Sequence, residues 1–158
     1  MEQSHSSAMF CEAHPRLDEV LTRYRRSVHQ LFPPAAPEII SKSALRLGID
    51  IPKELVDFYQ LHNGGNLFRG LLNIRPVELL SSASTQTPHV VLFAEGPRKE
   101  EVWAFVQTER EEIVYGLWSE NVFIAMHDRF SQWLDASIYL LDEGISNRES
   151  QHEYRRSL

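Results

Sequence analysis

Residues 51–76, IPKELVDFYQLHNGGNLFRGLLNIRP, constrain this chain more than any other stretch. Pro52 suits the first turn of a helix, where its missing N–H leaves no bond unmade. On a 100° wheel Phe58, His62, Leu55 and Tyr59 share one face, and Lys53, Glu54, Asp57 and Gln60 share the other. Val56 and Leu61 widen the apolar arc, as expected of a helix pressed into a core. Asn63-Gly64-Gly65-Asn66 then stops the helix, because glycine enters the left-handed region without a Cβ penalty. One of Gly64 and Gly65 is expected at positive φ there. Leu67-Phe68 begins an apolar return at once, and Arg75-Pro76 turns the chain. Pro52, Phe58, His62, Gly64 and Gly65 are therefore read as structural residues.

The flanking sequence supplies the other elements. Residues 1–13 are small and polar and are read as loose. From residue 16 to residue 32, Leu17, Val20, Leu21, Tyr24, Val28 and Leu31 recur at helical spacing, which predicts one amphipathic helix ended by Pro33-Pro34. Its outer face carries Arg23, Arg25 and Arg26, read as a solvated basic face. Pro37 begins a second helix with Ile40, Ala44 and Leu47 along its apolar edge and Gly48 as C-cap. After Pro76, residues 81–88 (SSASTQTP) read as a polar loop. Short strands are predicted at 90–94, 102–106, 113–118 and 122–126, with turns at 95–99 and 108–112. Their close spacing favours antiparallel neighbours. A closing helix runs from about residue 129 to 141. Asp128 is its expected N-cap, Phe130, Trp133, Leu134, Ile138 and Leu141 its stripe, and Gly144 its end. Residues 145–158 read as a polar tail. Helices, then strands, then a helix make an α+β domain over residues 14–144, with a mixed or antiparallel sheet of about four to six short strands and about four helices.

The order Leu47-Gly48, Ile51-Pro52, Phe58-Tyr59, Asn63-Gly64-Gly65, Leu67-Phe68, Gly70-Leu71, Ile74, Pro76, Glu78-Leu79 resembles the SUKH superfamily, the Smi/Knr-like cell-wall-regulator and bacterial immunity proteins. Val114-Tyr115-Gly116 with Trp118, and Phe130-Ser131-Gln132-Trp133-Leu134, resemble that family's later strand and closing helix. The resemblance spans roughly residues 37–143. It departs at Ser43 and Ala44, where many relatives have a glutamate before the Leu-Gly, so no role of that acid carries over. The resemblance implies binding rather than catalysis: an immunity protein that neutralises a cognate bacterial toxin, often a nuclease. The alternative is an intracellular interaction module of the cell-wall-regulator type.

A formal net charge of −6 argues against a general binder of nucleic acid or anionic membrane, since both require clustered positive charge. No stretch approaches the roughly 20 apolar residues of a membrane span, and the first residues, MEQSH, lack the basic start of a signal peptide. A single cysteine, Cys11, excludes an intramolecular disulfide. A reduced, cytoplasmic protein is the expectation. Gly64-Gly65 follows a helix, whereas a dinucleotide loop lies between a strand and a helix. The histidines show no metal-ligand spacing, and His62 is read as a core residue bonded to backbone. Ser131 and Cys11 lie in no nucleophile motif. No cofactor, no metal and no enzymatic activity are expected. Trp103, Trp118 and Trp133 read as core or interface. Acidic residues crowd the strand turns: Glu95, Glu100, Glu101, Glu109, Glu111, Glu112 and Glu120 outnumber Arg98, Lys99 and Arg110. They predict an exposed rim for a protein partner with a basic surface, centred on Glu109, Glu111 and Glu112 and extended by Glu100 and Glu101.

Overall fold

Among the described residues, three segments of helix precede the main run of strands and a fourth follows it. The computed structural model describes residues 14–23, 29–86, 88–98 and 100–157, with the side chains of the closing helix described as far as residue 144. The helices are α1 (Pro15–Arg23), α2 (Pro37–Leu47), α3 (Lys53–Leu61) and α4 (Phe130–Ser157). The strands are β1 (Gln30–Leu31), β2 (Gly65–Leu67), β3 (Leu72–Ile74), β4 (Ser81–Ser84), β5 (Val90–Glu95), β6 (Val102–Gln107), β7 (Ile113–Ser119) and β8 (Val122–His127). A 3-10 turn, Val77–Leu79, lies between β3 and β4.

The eight described strands form one antiparallel sheet, seven of them in the order β1-β2-β3-β5-β6-β7-β8 and β4 beside β5 off that path. One edge of β5 is divided. Its C-terminal half pairs with β3 through Asn73↔Glu95 and Ile74↔Ala94, and its N-terminal half pairs with β4 through Ser81↔Leu92 and Ser82↔Val91. The α+β class agrees with the sequence reading, but eight strands exceed the four to six expected. The excess is in short strands: β1, β2 and β3 are too brief to display an alternating pattern. Ser81–Ser84 lacks β-branched and aromatic residues, so it read as loop, and only its partner β5 makes it a strand.

Three helix boundaries also differ. The helix expected over 16–32 is described only as far as Arg23, and Gln30–Leu31 belong to β1, where Leu31 faces Gly65. Its apolar spacing was satisfied by a strand residue, because tertiary pairing overrides local propensity. At the other end Gly144 does not stop α4, which continues to Ser157, so the expected tail is helical. Glycine inside a helix costs about 1 kcal/mol relative to alanine, too little to end one by itself. Nor does Asp128 cap α4. The Ser131 N–H donates to Glu54 Oε2 at 3.3 Å and Arg129 Nε donates to Glu54 Oε1 at 3.2 Å, so α3 supplies the acid at the start of α4. The Gly48 C-cap of α2 is as expected, with φ +71° and its N–H donating to Ala44.

The core lies between α4 and the sheet. Phe93 on β5 meets Trp133 edge-on at 4.7 Å, Phe130 meets Phe58 at 5.3 Å and Trp133 at 5.6 Å, and Tyr115 joins them from β7. Phe58, Phe93, Phe130 and Trp133 are wholly buried. Burying one such side chain is worth roughly 1.5–3 kcal/mol, against roughly 0.5–1.5 for a ring–ring contact. Buried area therefore holds α4 down before ring geometry does. The opposite face of the sheet carries a smaller cluster, Val90, Ala104 and Val106, with Trp118 and Phe123 half-buried against it. The three tryptophans thus divide: Trp133 in the main core, Trp103 packed against it, Trp118 on the far face.

The double glycine joins helices to sheet. Pro52, buried, is the N-cap of α3, and His62 ends that helix in extended conformation. Gly64 follows at φ +79°, and a Cβ there would run into the carbonyl of Ile74. Gly65 has no such φ, yet a Cβ on it would lie 2.6 Å from Gln30 O and 2.9 Å from Leu31 Cα. Each glycine is required for its own reason. Replacing Gly64 with alanine is expected to destabilise the fold by on the order of 1–3 kcal/mol, combining strain with a backbone clash. Gly144→Ala, which meets open space within a helix, should be neutral or slightly stabilising. Thermal unfolding of both variants checks the contrast, and an unchanged melting temperature for Gly64→Ala would refute it.

Candidate functional site

The acidic residues of the strand turns do not form one rim. The β6–β7 turn carries Glu109, Glu111 and Glu112, all exposed, with Arg110 among them. Thr108 organises it: its N–H donates to Glu112 O at 2.7 Å, its carbonyl accepts from Glu111 N at 2.9 Å, and its Oγ1 accepts from Glu112 N at 3.3 Å. Glu111 takes φ +62° as a result. The β5–β6 turn, with Glu100 and Glu101, and the β7–β8 turn, with Glu120, lie at the opposite end of the strands, as the register Glu95↔Val102↔Trp118↔Phe123 requires. Six residues of β6 separate the two ends, about 20 Å of extended chain. A sequence shows proximity along the chain, and an antiparallel meander sends successive turns to alternate ends.

Within the second group only Glu100 and Glu120 are fully exposed. Glu95 is held by Arg75, whose Nε donates to Glu95 Oε1 at 2.5 Å. Glu101 folds back over Gly96, its Oε2 only 2.5 Å from where a Cβ on that glycine would stand, and it pairs with Arg98 at 3.8 Å. There it borders a cleft of about 260 Å³ whose floor and walls are Leu72, Trp103, Ser137, Leu140 and Leu141. That volume is below the roughly 300–1,000 Å³ of small-molecule sites. Leu140, 70% exposed, stands at its mouth. Sequence periodicity did not flag Leu140, because a single exposed leucine is ordinary.

Three of the described histidines, His14, His29 and His62, are tied to core aromatics or to backbone. His62 Nδ1 donates to Phe32 O at 3.1 Å, the backbone partner expected of it. His29 Nδ1 accepts from Phe68 N at 3.1 Å and its ring meets Phe68 edge-on at 4.7 Å. That bond holds the β2–β3 turn, where Phe68, Arg69 and Gly70 all take positive φ. His14 stands edge-on to Phe58 and Phe130. Burial lowers the pKa of all three. Glu54 opposes the shift at His14, Asp142 at His29 and the Phe32 carbonyl at His62, and none outweighs it. Burial also raises the pKa values of Tyr59 and Tyr115, and the Tyr59 hydroxyl donates to Arg75 O at 2.8 Å.

Ser82 and His89 are brought together across the β4–β5 hairpin, Ser82 Oγ 2.7 Å from His89 Nε2. Among the described residues no carboxylate bonds the other ring nitrogen, so the pair lacks the orienting third group of a hydrolase. No group of His, Cys, Asp and Glu among the described residues is placed to hold a metal, and no helix among them is long and apolar enough to cross a membrane. Cys11, Arg25 and Arg26 lie outside the described residues, as does the side chain of Arg23. Compared with protein-family models, with curated proteins and with solved structures, the chain gives no match in any of the three.

The lowered histidines set a direction for stability. A folded-state pKa below the unfolded value means that the unfolded chain takes up protons first as pH falls through about 6.5. The contribution of His14, His29 and His62 is complete above that pH and is lost below it. Asp135, raised by burial, works in the opposite sense, one carboxylate against three histidines. The melting temperature is expected to be lower at about pH 5.5 than at about pH 7.5. A flat or inverted profile in calorimetry would refute the assignment.

Proposed function

We propose that the chain is an immunity protein: a binding domain that occupies a cognate bacterial toxin in the cytoplasm of the producing cell and performs no reaction itself. The motif order over residues 37–143, similar to that of SUKH proteins, supports the family reading. The observation that carries the binding reading is the β6–β7 turn. Glu109, Glu111 and Glu112 stand exposed on three positions of one braced hairpin, in no ion pair among the described residues. Charges left unneutralised on a rigid turn generate a local negative field without a loop-ordering cost on binding. A toxin that cleaves nucleic acid has a basic cleft, and these carboxylates would compete there with phosphate. Opposed charges accelerate encounter, and salt weakens that effect.

Co-expression with the product of an adjacent toxin gene tests the function: growth should be restored, and the two chains should co-purify. The reading is overturned if the toxin kills regardless. Substituting Glu109→Lys, Glu111→Lys and Glu112→Lys together should slow association by about tenfold or more at low salt and leave the melting temperature nearly unchanged, because exposed charges contribute little to stability. Reversal of Arg23, Arg25 and Arg26 should matter less. Salt-insensitive association, or a larger loss from the arginine set, would exclude the acidic turn as the contact.

A further inference from the structure

β8 ends the sheet. Its inner edge pairs with β7 from Val122 to His127, and among the described residues no strand pairs its outer edge. Natural sheets protect such edges with charges, prolines, brevity or bulges, because a row of free N–H and C=O groups is a template for another strand. β8 uses little of this protection. Its sequence, VFIAMH, contains no acid, lysine, arginine or proline. Val122, Ile124 and Met126 are 57%, 48% and 54% exposed. The register steps from Gly116↔Ala125 to Tyr115↔His127, so Met126 is a bulged residue and residues 122–125 are left regular. The opposite edge strand, β1, has two residues and offers much less backbone.

The edge is also held firmly. Glu120 and Asn121 both take left-handed φ, +52° and +61°, in the two-residue turn that matches strand twist. Gly116 lets the Ile124 carbonyl approach so closely that any Cβ would collide with it. A strand arriving at β8 therefore meets preformed backbone rather than a segment it must order.

The charges at its two ends select the visitor. Glu120 precedes β8 and Asp128 follows it, both exposed, while neighbouring Arg129 is engaged by Glu54. Two copies paired antiparallel about Ile124 would set Glu120 against Asp128 at both ends, and each copy brings a net charge of −6. Like charges directly opposed are destabilising, so a second copy fits poorly. An apolar segment with a cation beyond each end fits well.

We propose that the outer edge of β8 is a strand-accepting site for an extended, uncharged segment of another protein that carries a lysine or arginine beyond each end. Main-chain bonds would supply affinity, and the end charges register and selectivity. The inference stands independently of whether that protein is a toxin.

Synthetic peptides test it on the full chain. A short peptide of alternating valine and threonine, capped by lysine at both ends, should bind in fluorescence anisotropy and slow amide exchange within residues 122–127. Its glutamate-capped counterpart should bind at least about tenfold more weakly, and a proline at its centre should abolish binding. Ile124→Lys should remove binding, whereas Leu45→Lys, on an exposed leucine of α2, should not. Equal binding of the two capped peptides, no binding by either, or protection away from β8 would overturn the proposal. So would a dimer in sedimentation that Ile124→Lys dissolves, since the edge would then serve a second copy. The exchange pattern of the unaltered protein decides the matter even if Ile124→Lys unfolds. Failure here would leave the growth-rescue result untouched, and the reverse also holds.

Discussion

Backbone packed directly against backbone at Gly64 and Gly65 is the constraint on which the rest of the structure depends. Gly65 lies between β1 and β3, facing Leu31 on one side and Ile74 on the other. The bonds around it tie the chain before α2 to the last turn of α3 and the chain after it: Phe32 N donates to Gly64 O at 3.0 Å, Asn63 N to Pro33 O at 2.9 Å and Ala35 N to Tyr59 O at 2.9 Å. Asn63 extends the junction with its side chain, accepting from Val77 N at 2.8 Å and donating to Glu78 at 2.6 Å. No side chain can be inserted at this junction without parting strands, and the helices would lose their position on the sheet.

From that junction the molecule divides its labour. The helix-covered face of the sheet is used for stability, with aromatic side chains from α3, α4, β5 and β7 in mutual contact. Glu54 links α3 to the start of α4, so the two helices that supply most of that core are tied at their polar ends too. The meander from β5 to β8 carries a charged turn at one end, borders a small cleft at the other and, among the described residues, leaves one edge unpaired. These features follow from strand order. A meander must place its last strand at an edge and its turns at alternating ends.

Charge and apolar surface act over different distances here. The field of the exposed carboxylates of the β6–β7 turn reaches a Debye length, about 8–10 Å in physiological salt. On the proposed readings the β8 edge would act only on contact, through main-chain bonds, and neither feature needs a large apolar patch, which would invite aggregation.

Much of the fold could be read from local chemistry. The α3 wheel and the Gly48 cap depend on neighbours a few residues away, and the strands from β5 to β8 showed in their own apolar runs. The need for glycine after Asn63 and a backbone bond for His62 were legible in kind, although the partners, Ile74, Gln30 and Phe32, are distant in sequence. What failed depended on distant pairing. Leu31 kept helical spacing but joined β1, since Gly65 left room for it. Ser81–Ser84 became a strand only beside β5. Glu54, seventy-seven positions before Ser131, displaced Asp128 as the acid at the start of α4. The candidate site was legible in composition but not in arrangement: the glutamates were visible, while their division between opposite ends, the turning-in of Glu101 and the exposure of β8 were not. A residue's type and its neighbours set what it can do locally. Which end of a sheet it reaches, and whether its strand has a partner on both sides, is decided by topology, because pairing is a relation between segments that the chain order does not record.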